Sequence, residues 1–218
     1  MQPKQEDNND GGIDVSRRES FRAFYGTIIT DSSADNVGAT ITTMVLESLH
    51  DKWSEIRKDS SKLLHKASVH LSEECVISLL DEFLNTDSDS NWQITHGNIL
   101  GMKALVNVIS KTRPSYCCDI RRHCVGALSH QNQPVREASR SCLRALMSEC
   151  ADSEEDWSHF YSSILARVEE CVRDDVEQGS ERYALELDGL LGSIEDAFLE
   201  HAECFWSLSL VLNAGDAD

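Results

Sequence analysis

His96-Gly97-Asn98, inside "SNWQITHGNILGMKALVNVIS" (Ser90–Ser110), puts an imidazole at the head of a long apolar helix. A histidine there could act as a general base. That chemistry needs a nucleophile and an orienting group within hydrogen-bond reach. No elbow of the G-x-S-x-G kind lies near it. The second reactive cluster is "YCCDIRRHC", with Cys117, Cys118, His123 and Cys124. Zinc sites bring ligand pairs together at C-x2–4-C spacings. On a helix Cys117 and Cys124 share a face, whereas Cys118 and His123 point elsewhere, so core thiols fit better than ligands. No Walker loop, G-x-G-x-x-G or H-E-x-x-H occurs. The expectation is no catalytic residue, no cofactor and no metal. An enzyme using the cysteine–histidine cluster is the distant alternative.

Two lines of positive charge offer a different chemistry. Lys58, Lys62 and Lys66 recur every four residues, as do Arg136, Arg140 and Arg144. At that spacing each set forms one stripe along a helix. Such stripes suit an acidic peptide or domain, an RNA backbone, or the chain's own acidic C-terminal third. A solvated helix face with local ion pairs would look the same. These six residues are the candidate partner-binding positions. "RRES" (Arg17–Ser20) and Ser153 match kinase patterns too short to separate from chance.

The net charge of −18 is unevenly spread. Asp152–Asp218 holds 18 acidic and 3 basic residues, so the last third is an acidic surface. It repels phosphates and attracts a basic partner. Hydrophobic residues make up 40% of the 218, enough for a core, and only 3 prolines interrupt helix formation. No apolar run approaches the roughly 20 residues of a membrane span. "MQPKQEDNNDGG" lacks the basic start and apolar stretch of a signal peptide, so the cytoplasm or nucleus is expected. The 8 cysteines are then expected as free thiols, with Cys75, Cys124 and Cys142 in the core.

The elements that must position these residues are helical. Residues 1–33 read as a flexible tail, although "FRAFYGTII" (Phe21–Ile29) is apolar enough to dock. From Asp35 onward apolar residues recur with the 3.6-residue period. Faces such as Val37/Ile41/Val45/Leu49, Ile56/Leu64/Leu71 and Val76/Leu80/Phe83 predict successive helices. Further faces fall at Ile99–Ile109, Ile120–Leu128, Val135–Leu146, Trp157–Val168 and Leu187–Phe198. The breaks are short and polar, and Pro134 stands at a first turn, where a missing N–H costs nothing. Residues 204–218 form an apolar segment with an acidic end, expected to fold back as a cap.

The helices repeat in pairs. "DKWSEIRKDSSKLL", "DSNWQITHGNILGMKAL" and "NQPVREASRSCLRAL" each open with a polar turn. Ile56-Arg57, Ile94-Thr95 and Val135-Arg136 follow, at steps of 38 and 41 residues. That is close to the period of about 40–47 of HEAT and armadillo units. The fold class expected is therefore all-α: a right-handed α-solenoid of about four HEAT/armadillo-like helical pairs over residues 34–203. In such an array Trp92–Gly97 is the entry of a second repeat helix. His96 would be a partly exposed histidine at a turn. Gly97 and Gly101 would let a neighbouring helix approach, at about 1 kcal/mol each in helix propensity.

"HLSEECVISLLDEFLNTDSDSNWQITHGNILGMKALVNV" (His70–Val108) resembles the C-terminal HEAT array of the general-control translational activator family. Those are large ribosome-associated scaffolds that activate the kinase of translation initiation factor two. Glu73-Glu74, Leu79-Leu80, Asn91-Trp92 and Ile94-Thr95-His96-Gly97 occupy the places of the family's acidic helix start, leucine-rich helix, D-W and V-R-H-G. Thr95 replaces an arginine, as does Asn98. The resemblance implies a HEAT fold and a non-catalytic, protein-binding adaptor. An adaptor of translational control, associated with ribosomes and activating a stress kinase, is the sharper alternative. No membrane and no small-molecule substrate are expected.

Overall fold

The computed structural model describes residues 15–30, 38–85 and 91–149, together with positions 189, 191 and 192. The expected helices at Trp157–Val168 and Leu187–Phe198 fall outside the described residues, apart from those three positions. So do the Ser153 motif and the segment 204–218. Among the described residues all regular structure is helical. The helices are α1 (Val15–Thr30), α2 (Gly38–Leu49), α3 (Ser54–Ala67), α4 (Glu73–Asn85), α5 (Trp92–Thr112), α6 (Ser115–Ala127) and α7 (Gln133–Glu149). A 3-10 turn, Ser68–His70, follows α3. None of these helices is long and apolar enough to cross a membrane.

Two rows of helices emerge from the contacts. In one row α1 touches α3, α3 touches α5 and α5 touches α7. In the other α2 touches α4 and α4 touches α6, and each of these packs on the odd-numbered helix that follows it. Within the first row α3 and α5 run parallel. Arg57 bonds His96, Ser61 bonds Leu100, His65 bonds Ala104 and Ser68 bonds Asn107, each pair 39 residues apart. A constant offset over three turns is possible only if α3 and α5 point the same way.

The same positions are buried in successive odd-numbered helices. Ser60, Leu64 and Ala67 of α3, and Ser68 of the 3-10 turn after it, are buried. Stepping 38 residues gives Asn98, Met102, Leu105 and Val106 of α5, all buried. Stepping 41 more gives Ser139, Leu143, Leu146 and Met147 of α7, again all buried. These are the steps at which the helix-opening Ile56, Ile94 and Val135 recur. Each large apolar side chain buried here stabilises by about 1.5–3 kcal/mol. One continuous core results, running from Tyr25 to Met147.

Val15–Thr30, grouped by sequence with the N-terminal tail, is a helix. Phe21, Tyr25 and Ile28 recur at one-turn spacing and are buried. The Tyr25 hydroxyl pairs with Ser48 Oγ at 2.9 Å in the core, and burial pushes its pKa up. Polar residues anchor the other side. Arg18 and Arg22 both reach Asp59 of α3, and Arg17 lies 3.0 Å from Asp51. Partial burial raises the Asp59 carboxyl, but Arg18 and Arg22 outweigh that and hold it below the usual carboxylate range. The apolar stretch "FRAFYGTII" docks onto the array by this helix.

Candidate functional site

His96 is not partly exposed, as expected of a histidine at a turn. It is buried, because α5 begins deep against α3. Asn91 caps that helix, its side chain accepting from the Gln93 N–H at 3.0 Å. Trp92 and His96, one turn apart, then face Arg57. Its guanidinium lies 5.2 Å from the centre of the Trp92 ring, and the Trp92 and His96 rings meet edge to face. Arg57 is itself fully buried. Its Nε donates to His96 Nδ1 at 3.0 Å, and Nη1 donates to the carbonyls of Asp51 and Lys52.

This geometry fixes the state of the imidazole. An acceptor Nδ1 carries no proton, so His96 is neutral with hydrogen on Nε2. Burial, then the charges of Arg57 and Lys58, hold its pKa down to about 4. Next to it, Asn98 Oδ1 meets His50 Nε2 at 2.6 Å. Burial lowers the His50 pKa as well, partly offset by the hydrogen bond to Asn98. Gly97 completes the joint. A Cβ built on it would overlap the carbonyl oxygen of Leu49 at the end of α2. A Cβ on Gly101 would overlap the Phe83 ring. The tripeptide therefore spends its imidazole, its missing side chain and its amide on joining α2, α3 and α5.

Arg136 repeats the role of Arg57. Its Nη1 donates to the carbonyls of His130 and Gln131, six and five residues back, as Arg57 does to Asp51 and Lys52. Each arginine clamps the turn that leads into its own helix. Gly189 repeats the role of Gly97: a Cβ on it would overlap the carbonyl oxygen of Leu128, at the end of α6. Leu49 and Leu128 are separated by the same 79 residues as Arg57 and Arg136.

The two basic stripes lie differently. Lys58, Lys62 and Lys66 are exposed along α3. Among the described residues they form no ion pair. On α7 Arg136 is half-buried and engaged with its turn, while Arg140 lies where a Cβ on Gly192 would overlap its guanidinium. Arg144 is exposed. The two stripes thus present different surfaces: open lysines on α3, and on α7 one arginine committed to a turn and one against Gly192.

A groove of about 490 Å³ runs across α3, α5 and α7. Lys62, Lys66 and His65 line it from α3, Lys103 and Asn107 from α5, and Ala145 and Ser148 from α7. Lys103 Nζ donates to Ser141 Oγ at 2.6 Å, a neutral partner. Sequence reasoning passed over Lys103 because it sits inside the apolar run "GMKALVNV". The 38 and 41 steps supply a signal: they place His65, Lys103 and Arg144 in one column.

The cysteine–histidine cluster is dispersed along α6. Cys118 is exposed, Cys117 half-buried, and Cys124 fully buried. Cys124 meets the thiol of Cys142, and that contact, then burial, raises its pKa well above the usual thiol range. His123 is lowered by burial. Among the described residues no three of His, Cys, Asp or Glu are grouped to hold a metal ion, and the described cysteines are free thiols. Comparison of the chain with family models, curated proteins and solved structures finds no match.

Proposed function

We propose that this chain is a non-catalytic protein-binding scaffold, a right-handed α-solenoid of HEAT-like helical pairs. The observation that carries this reading is the recurrence of burial at 38 and 41 residues in α3, α5 and α7. The pairs are α2/α3, α4/α5 and α6/α7. Gly189 against Leu128 continues the series, since it stands where a further inner helix would dock. A single helical pair cannot bury both its faces, and stacking neighbours can. Such arrays bind partners along the inner row, where side chains from several helices make one surface. Here that row carries the open lysines of α3.

The polar cluster at His96 supports a structural role. Arg57 and His96 join α3 to α5, and His96 is neutral and buried while His50 is half-buried. The sharper reading, an adaptor of translational control on the ribosome, rests on the likeness of His70–Val108 alone. Its Asn91, Trp92, His96 and Gly97 are here the cap and packing residues of α5, so the likeness speaks for packing more than for a partner.

Affinity capture of the full chain with quantitative mass spectrometry tests the proposal. The reading expects a reproducible set of proteins, depleted when Lys58, Lys62 and Lys66 are changed to glutamate while the helical circular dichroism spectrum is kept. Capture of no protein above background would sink it. Recovery of ribosomal proteins would favour the adaptor reading.

A further inference from the structure

We infer that the groove between α3, α5 and α7 is a docking site for an acidic peptide segment of a partner protein, held in extended form by Lys62, Lys66 and Lys103. The inference rests on the scaffold reading and names the chemistry of its ligand.

Three observations carry it. The first is convergence. Lys62 and Lys66 come from one helix and Lys103 from the next, and all three line one groove of about 490 Å³. Ligand pockets typically fall in the range of about 300–1,000 Å³. The second is charge. Among the described residues none of the three lysines is neutralised by a carboxylate, and Lys103 meets only the hydroxyl of Ser141. Among the described residues of the lining Glu149 is the sole carboxylate. Holding three ammonium groups together costs repulsion that an anionic occupant removes.

The third is spacing. Lys62 and Lys66 lie one helical turn apart, about 5–6 Å between their Cβ atoms. Alternate side chains of an extended peptide are about 6.6 Å apart. Carboxylates at every second position therefore meet successive lysines. Ala104, Val106 and Ala145 add short apolar side chains to the lining, which leave room for a peptide backbone. Asn107 and Ser148 offer it hydrogen-bond partners.

A nucleic acid fits less well. Among the described residues the lining has no aromatic ring on which a base could stack. A long polyanion would also meet a chain of net charge −18. A short acidic segment engages the lysines and leaves the remaining surface alone.

The test is fluorescence anisotropy with the full-length chain and a labelled ten-residue peptide of alternating glutamate and serine. Controls are the matching glutamine–serine peptide and a labelled single-stranded RNA oligomer. Saturable binding of the glutamate peptide is expected, weakening steeply with salt. Lys62→Glu/Lys66→Glu/Lys103→Glu should lose about tenfold or more in affinity. Lys58→Glu, on the same helix but outside the groove lining, should bind as the parent does. Circular dichroism and the melting temperature check that each variant folds. If the triple variant does not fold, Lys103→Gln and Lys66→Gln, each removing one charge, should each weaken binding measurably. Equal binding of the glutamine peptide, unchanged affinity in the groove variants, equal loss in Lys58→Glu, or tighter binding of RNA would each overturn the inference. Protein capture that survives in the groove variants would overturn the groove and leave the scaffold standing. Absence of any captured protein would remove the scaffold reading instead.

Discussion

Arg57 donates its Nε–H to Nδ1 of His96 at 3.0 Å, across the contact between α3 and α5. Both residues are buried, and 39 positions of chain separate them. The bond welds α3 to α5. It does so with a charge held in place by two carbonyls, an imidazole and the face of Trp92. Buried charges persist where such partners surround them.

Replacing Arg57 with methionine keeps the volume and removes the donors. The carbonyls of Asp51 and Lys52 and the His96 Nδ1 are then left buried, at about 1–3 kcal/mol for each unsatisfied group. Urea unfolding should show a loss of about 3 kcal/mol or more. Arg136→Met, at the corresponding but more open clamp, should lose less. Equal losses, or a loss in Arg57→Met under about 1 kcal/mol, would show that the guanidinium is not a joint.

His96 should make the fold sensitive to acid. Its imidazole titrates at about 4 when folded, against the ordinary value of 6.5. Between these values the unfolded chain binds the extra proton. Stability from this group is therefore complete above 6.5 and lost as pH falls toward 4, with a span on the order of 3 kcal/mol. His50 and His123 act in the same direction. Melting temperatures at pH 7 and pH 5 should differ more in the parent than in His96→Gln, whose amide oxygen can still accept from Arg57. The same difference in both would remove His96 as the cause.

The sequence showed the helices because their apolar faces are periodic. Ile56-Arg57 and Val135-Arg136 mark helix starts, and Gly97 and Gly101 announce a close approach. Three features were less legible. Helix α1 has a weak apolar face, Phe21, Tyr25 and Ile28, and is fastened by arginines to aspartates far along the chain. The burial of His96 depends on Arg57, 39 residues away, which no local pattern reveals. The stripe Arg136/Arg140/Arg144 has a regular spacing, but spacing does not tell whether a guanidinium faces solvent or the carbonyls of its own turn.

The glycines separate close approach from mere flexibility. Gly97→Ala puts a methyl group on the Leu49 carbonyl, and backbone cannot yield as a side chain can. A loss of about 3 kcal/mol is expected. Gly126, in α6, has open space around its Cβ position. Gly126→Ala should gain about 0.5–1 kcal/mol through helix propensity. Gly189→Ala should behave like Gly97→Ala, since it meets the Leu128 carbonyl. Thermal melts of the three variants check the order. A neutral Gly189→Ala would remove the support for a further inner helix.

The binding face is tested most directly by lysine acylation footprinting of the full chain, free and bound to a captured protein partner. The inner-row scaffold predicts that Lys62, Lys66 and Lys103 become protected on binding, while Lys52 and Lys111, outside the groove lining, keep their reactivity. Protection of Lys52 and Lys111 with the groove lysines still reactive would place the partner elsewhere and contradict it.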